Sequence, residues 1–162
     1  MKIIKLWYHI CTCIKKTGFK IIYGKRFSVG KRTHWRKDFS VMLDKNASLT
    51  IGNDCFFNNG CSIASNEQVV IKEGCLFGEN VKIYDHNHRF RDSNSYIKNQ
   101  GYTTAPVEIG NNCWIGSNVV ILKGTTIEDH CVIGAGAVIE GRIPANTIVK
   151  SGRNVDMFSM EE

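Results

Sequence analysis

The sequence predicts an all-β fold, a parallel β-helix, and three observations carry that expectation. Ile109, Ile115, Ile121, Ile127, Ile133 and Ile139 recur at a strict spacing of six. An α-helix repeats its buried face about every 3.6 residues and a strand about every 2, so a period of six fits neither; it fits short strands joined by corners, three to a coil. Four residues after each isoleucine stand Cys113, Val119, Thr125, Cys131, Ala137 and Ile143, mostly small or β-branched. The register also reappears upstream, where Ile51, Phe57 and Ile63 keep the step of six, as do Ile71, Phe77 and Ile83. Segments 43–62 and 63–82 align as an internal repeat, with Ile51 over Ile71 and Cys55 over Cys75.

The steps from Leu43 to Ile51 and from Ile63 to Ile71 are eight, which predicts early coils of 20 residues and late ones of 18. The 162 residues make one domain's worth of chain, and 15 glycines with two prolines suit many tight corners. The expected organisation is a basic amphipathic helix over 1–20, a β-helix over 21–152 interrupted by a loop at 85–106, and a tail over 153–162.

The formal net charge of +6 is unevenly spread. Residues 1–37 hold eleven Lys or Arg and no acid, whereas from Asp38 onward ten basic residues face fifteen acidic ones. Residues 2–16 fit an amphipathic helix, with Lys2, Lys5, His9, Thr12 and Lys16 on one arc and Ile3, Ile4, Leu6, Trp7, Ile10, Cys11 and Ile14 opposite. No apolar run approaches the ~20 residues of a membrane span, and Lys5 and His9 interrupt the stretch as they would not in a signal peptide. Two readings stay open: a helix packed on the first coil or on a trimer partner, and a helix lying on an anionic membrane face, with residues 1–37 supplying cations. No recognised nucleic-acid motif accompanies the basic segment, so nucleic acid is not an expected partner.

Five of the seven cysteines (Cys55, Cys61, Cys75, Cys113 and Cys131) fall at the small fifth position of a hexapeptide, and no zinc spacing occurs. They read as small buried hydrophobes in a reducing, cytoplasmic compartment. Residues 17–42 read as an irregular first coil, with strands near Val29-Gly30 and Phe39-Ser40-Val41. The hexapeptide pattern then breaks between Asp85 and Pro106. Long loops without their own structure tend to be functional, and His86, His88, Arg89, Phe90, Arg91, Tyr96 and Tyr102 suit a flap over a ligand.

The repeat, together with I-Y-D-H-N-H at 83–88, V-E-I-G-N-N-C-W-I-G-S-N-V at 107–119 and I-G-A-G-A-V-I at 133–139, resembles the hexapeptide-repeat acyltransferases. Within that family it looks most like the sugar O-acetyltransferases of galactoside, maltose and capsular or exopolysaccharide type. The resemblance implies a left-handed helix, a homotrimer, acetyl-CoA as cosubstrate without a metal, and a carbohydrate acceptor. It places the catalytic base on His86, with His88 the alternative, since histidine needs no large pKa shift to act near neutral pH. Asp85 and His88 would orient that ring or hold the acceptor. The resemblance sets Trp114 against acceptor and acetyl group, Asn59 (or its neighbour Asn58) in the acceptor site, the backbone N–H of Ser117 at the oxyanion, and Ala135 along the pantetheine arm. Arg142, Lys150 and Arg153 stand where the family's usual phosphate contacts are replaced. Rival readings are an N-acetyltransferase acting on an amino sugar or other amine, and a non-enzymatic or carbonic-anhydrase-like β-helix using His86, His88 and His130.

Overall fold

A computed structural model describes the backbone of residues 2–152 and 156–159 and the side chains of residues 12–152. The chain winds as a left-handed parallel β-helix of about six coils behind an N-terminal helix, Lys2–Tyr23. The first face stacks Phe27–Val29, Ser48–Ile51, Gln68–Ile71, Val107–Ile109, Thr126–Ile127 and Arg142–Ile143. The second stacks His34–Trp35, Phe56–Phe57, Leu76–Phe77, Trp114–Ile115, Val132–Ile133 and Thr147–Lys150, and the third Ser40–Leu43, Ser62–Ser65, Lys82–Tyr84, Val120–Ile121 and Val138–Ile139. Strands of successive coils pair in parallel, Ile51 with Ile71, Ile71 with Ile109 and Ile109 with Ile127. Asp156–Ser159 adds an antiparallel strand on Thr147–Lys150, within the segment expected to be a tail.

Corners turn through left-handed backbone, which Asn and Asp tolerate because their short side chains bond locally. Asp54, Asn80, Asn112 and Asn118 take φ of 53–60° there. Where corners stack most closely only glycine fits: a Cβ on Gly78 would lie 2.5 Å from the backbone nitrogen of Ser117.

The interior follows the coil length. Pairing on the first face sets the steps at 22 (Phe27 to Leu49), 20 (Leu49 to Val69), 38 (Val69 to Val107), 18 (Glu108 to Thr126) and 16 (Thr126 to Arg142). The wider early coils are filled by rings, with Phe39 and Phe57 4.9 Å apart and Phe57 and Phe77 4.3 Å apart and nearly parallel. Ile115 and Ile133 take over from Phe77 in the narrower ones. The small-slot cysteines are free thiols inside, and each donates to a carbonyl of the next coil, as Cys75 does to Gly110 at 3.0 Å and Cys131 to Pro144 at 3.0 Å.

One expectation changes. The first coil is regular: Val29, Trp35 and Val41 pair with Ile51, Phe57 and Ile63. They keep the step of six, but a tryptophan in the isoleucine slot and a ten-residue step to Ile51 hid the register. Leu43 is a second inward residue of the same strand.

The side of the amphipathic helix that meets the first coil is the one bearing Thr12, Lys15, Phe19 and Tyr23. Thr12 is buried and donates to the Trp35 carbonyl at 2.9 Å, Lys15 to Phe39 at 3.0 Å and Tyr23 to Val41 at 2.9 Å, while Phe19 packs on Phe27 and Trp35. The first coil presents an open strand edge whose carbonyls need donors, and Thr12, Lys15 and Tyr23 supply them. Ile14, Ile21 and Ile22 are left exposed.

Candidate active site

Along the third face Ile83 points in, Tyr84 sits half-buried, and Asp85 points in again with no exposed surface. Its inward slot is the one that Leu43 and Ser65 occupy in the coils before. A bare carboxylate there would be costly, so it must be satisfied by hydrogen bonds. Ser65 Oγ donates to Asp85 Oδ2 at 2.6 Å, Glu67 N–H to Oδ2 at 2.9 Å and Asn66 N–H to Oδ1 at 2.7 Å. Burial pushes the Asp85 carboxyl up, but the bonds from Ser65, Asn66, Glu67 and His86 outweigh it and hold it below the ordinary carboxylate range.

His86 Nδ1 lies 3.1 Å from Asp85 Oδ1. An ionised carboxylate only accepts, so Nδ1 carries the hydrogen and the lone pair is left on Nε2. The ring packs edge-on against Tyr102 at 5.2 Å and 89°. The buried carboxylate therefore fixes both the orientation and the tautomer of a ring whose side chain keeps 17% of its surface exposed.

The segment expected to lack structure of its own is ordered by a ribbon. His86–His88 pairs antiparallel with Tyr102–Thr104, and Ile97–Asn99 forms a short helical turn. Ala105 N–H returns to the Asp85 carbonyl at 2.9 Å, closing the excursion at its base. His88 is exposed and lies 4.5 Å from the Tyr102 ring. Asp85 is wholly enclosed, so it can reach His86 and not an acceptor in solvent.

The other sites named from sequence lie elsewhere on the prism. Asn59, Ser117 and Ala135 stack in one corner column between the second and third faces, with Glu79 between the first two. Asn59 Nδ2 donates to Glu79 Oε1 at 3.2 Å, and Glu79 N–H to Ser117 Oγ at 3.1 Å. Asn58 is engaged by Arg36 at 3.2 Å. Trp114 projects outward from the second face with 54% of its surface exposed, above Leu76 and below Val132. Within one chain it is on a different face from His86. Arg142 belongs to the first face and is held by Glu128, away from the corner column. Lys150 ends the last strand of the second face, and Arg153 lies outside the described residues. Sequence reasoning missed Ser65 and the Asn66 and Glu67 amides, although the 20-residue repeat that sets Ile63 over Ile83 also sets Ser65 over Asp85. Among the described residues no group of three or more His, Cys, Asp or Glu could hold a metal.

The bacterial transferase hexapeptide (six repeats) family matches residues 106–141. Galactoside O-acetyltransferase of Escherichia coli K12 is 34% identical over 108 residues, covering 67% of this chain and 52% of that protein. The chain spans about half the length, or less, of the curated relatives it matches. A galactoside acetyltransferase solved in complex with coenzyme A superposes with a TM-score of 0.70 at 28% identity, covering 88% of this chain and 68% of that one. A hexapeptide-repeat acetyltransferase of Vibrio cholerae, complexed with acetyl coenzyme A, shares the fold at a TM-score of 0.73 and 22% identity, covering 91% and 79%.

Proposed function

The chain belongs to the hexapeptide-repeat acyltransferase family, and from that premise we propose that it transfers the acetyl group of acetyl-CoA to a sugar hydroxyl, with His86 as general base. The observation that carries the reading is the buried Asp85 carboxylate on His86 Nδ1, which leaves Nε2 to take a proton. In the proposed reaction Nε2 accepts the hydroxyl proton as the oxygen attacks the thioester carbonyl. The tetrahedral anion then collapses, the C–S bond breaks, and the proton passes from the imidazolium to the CoA thiolate. The Ser117 backbone N–H stands as the donor to that anion, and Trp114 as the flat wall against acceptor and acetyl group. Asn59 and His88 are the acceptor-side polar groups, and Ala135 lies along the course of the pantetheine.

Because His86 and Trp114 leave one chain from different faces, the reading calls for a homotrimer in which a second protomer completes each site. An outward apolar column on the second face supports this: Phe56, Leu76, Trp114 and Val132 are adjacent along the coils. The first face carries ion pairs instead, Lys72 with Glu108 and Arg142 with Glu128. The buried free thiols support a cytoplasmic site of action. A role in surface polysaccharide synthesis, at the inner face of an anionic membrane, is supported by the helix. Its exposed Ile14, Ile21 and Ile22 lie within the acid-free segment 1–37, and no described helix is long and apolar enough to cross a bilayer.

The test is mass spectrometry of hydroxyl and amino sugars incubated with acetyl-CoA and the protein. An acetyl ester that disappears with His86→Ala, while CoA still binds, is the expected result. Acetylation confined to amines would overturn the hydroxyl assignment, and undiminished turnover by His86→Ala would overturn the base.

A further inference from the structure

The excursion surrounds a cleft of about 760 Å3 of which the proposed acetyl transfer uses only His88. It is lined by His88, Arg89, Phe90, Arg91 and Asp92 of the excursion, and by Lys123, which follows the third-face strand Val120–Ile121. Loop and scaffold thus contribute cations to one space. Three fixed positive charges share it with a single carboxylate, and Asp92 Oδ1 already accepts the Asn94 N–H at 2.9 Å.

Three other cations are held by carboxylates, Arg32 by Asp54, Lys72 by Glu108 and Arg142 by Glu128. Arg89, Arg91 and Lys123 form no ion pair among the described residues. Like charges gathered without a counter-charge repel one another, and an anion in the cleft relieves that repulsion.

The frame is built before any ligand arrives. Gln100 Oε1 accepts the Asp92 N–H at 3.1 Å, and Gln100 Nε2 donates to the carbonyls of Asp92 at 2.8 Å and Ser95 at 2.9 Å. Arg89 N–H is fixed to Gly101 at 3.0 Å. Ordering made in advance does not have to be supplied by the ligand. Guanidinium groups bind phosphate through paired, charge-assisted hydrogen bonds, and Phe90, 67% exposed, offers a flat apolar face to a sugar ring. His88 lines the cleft and its ring meets Tyr102, which also packs on His86, so these two rings stand between the cleft and the catalytic imidazole.

We propose that this cleft binds the phosphate of the acetyl acceptor, which is therefore a sugar carrying a phosphate or diphosphate. The substrate half of this proposal rests on His86 being the acetyl-transfer base; the anion site does not. Coenzyme A is the other phosphate source, and the experiment separates the two.

The full chain is titrated calorimetrically with inorganic pyrophosphate and, separately, with CoA, as wild type, as Arg89→Gln/Arg91→Gln, as Lys123→Gln and as the charge-keeping Arg89→Lys/Arg91→Lys. The expected result is a loss of pyrophosphate affinity of at least about tenfold in the double Gln variant, a smaller loss in Lys123→Gln, partial retention in the Lys variant, and CoA affinity within about twofold throughout. Pyrophosphate that does not bind the wild type, or binds all variants alike, overturns the site. A parallel loss of CoA affinity assigns the cleft to the coenzyme and overturns the acceptor assignment. In turnover, a sugar 1-phosphate should show a KM at least about tenfold below that of the free sugar, and the double Gln variant should abolish the difference. Arginine-dependent pyrophosphate binding without acetyl transfer to any acceptor would sink the transferase reading while the anion site stood.

Discussion

Ile83 and Asp85 stand two residues apart on the third face, both wholly enclosed, and their surroundings differ. Ile83 lies between Ile63 and Ile121, in a column of aliphatic residues that the first face repeats from Ile51 to Ile143. Asp85 occupies a slot that holds Ser65 one coil earlier and Leu43 two coils earlier, and its carboxylate answers to four specific donors. Burial of a hydrocarbon is non-directional and proportional to area. Burial of a charge is tolerable only with directed partners. The first column holds the prism together, and the second spends its order on aiming one imidazole.

That difference can be broken by substitution. Ile83→Ala should cost about 2–5 kcal/mol of stability through lost burial and a cavity, with activity per folded molecule near normal at low temperature. Denaturant unfolding beside a titrated active fraction measures both. A mutant of unchanged midpoint would show that the column is not held by packing.

His86→Ala should do the reverse. A fall in kcat of at least ~100-fold is expected at an unfolding midpoint close to wild type. If activity and midpoint fell together, the ring would be structural.

Asp85→Asn should lie between. Its amide NH2 meets donors where the carboxylate accepted, so about 1–3 kcal/mol of stability goes with it, along with ~10-fold or more in kcat as the ring loses its fixed tautomer. The sign of the pH dependence follows from the carboxyl being held below its ordinary 3.8 in the fold. The ionised group stabilises the native state above that pH, and the contribution is lost as pH falls below it through the native value. The stability gap between wild type and Asp85→Asn should therefore be full at neutral pH and narrow on acidification below about pH 4. A gap independent of pH would mean that the carboxyl is not ionised. The smallest effect belongs to Ser65→Ala, about 1 kcal/mol, since one of four donors is removed and the amides of Asn66 and Glu67 remain; thermal unfolding checks it.

Legibility in the sequence follows the same division. The coils from Ile51 to Ile143 were readable because the inward slots are filled by isoleucine or phenylalanine, mostly at steps of six. The first coil was hidden because Trp35 and Phe39 fill a wider interior with rings instead of isoleucine. The helix was read correctly as amphipathic, but not as turning Thr12 and Lys15 toward the coil, since only the open strand edge requires donors there. The proposal of His86 as the base could be made from its place at the break in the repeat and from the resemblance of I-Y-D-H-N-H. The partners of Asp85 could not, because three of its four bonds come from residues 18–20 positions earlier, and two of those from backbone amides.

The hexapeptide step by itself determined that this chain coils, roughly where the coils lie, and where the regularity is interrupted, because a solenoid is built from contacts between like positions in neighbouring repeats. Only the tertiary structure decided which side of the N-terminal helix meets the first coil, that the interruption is a ribbon around a cationic cleft, and that Asp85 turns inward to grip His86. Those outcomes depend on directed hydrogen bonds and unpaired charges brought together across coils, and such geometry leaves no period in a sequence.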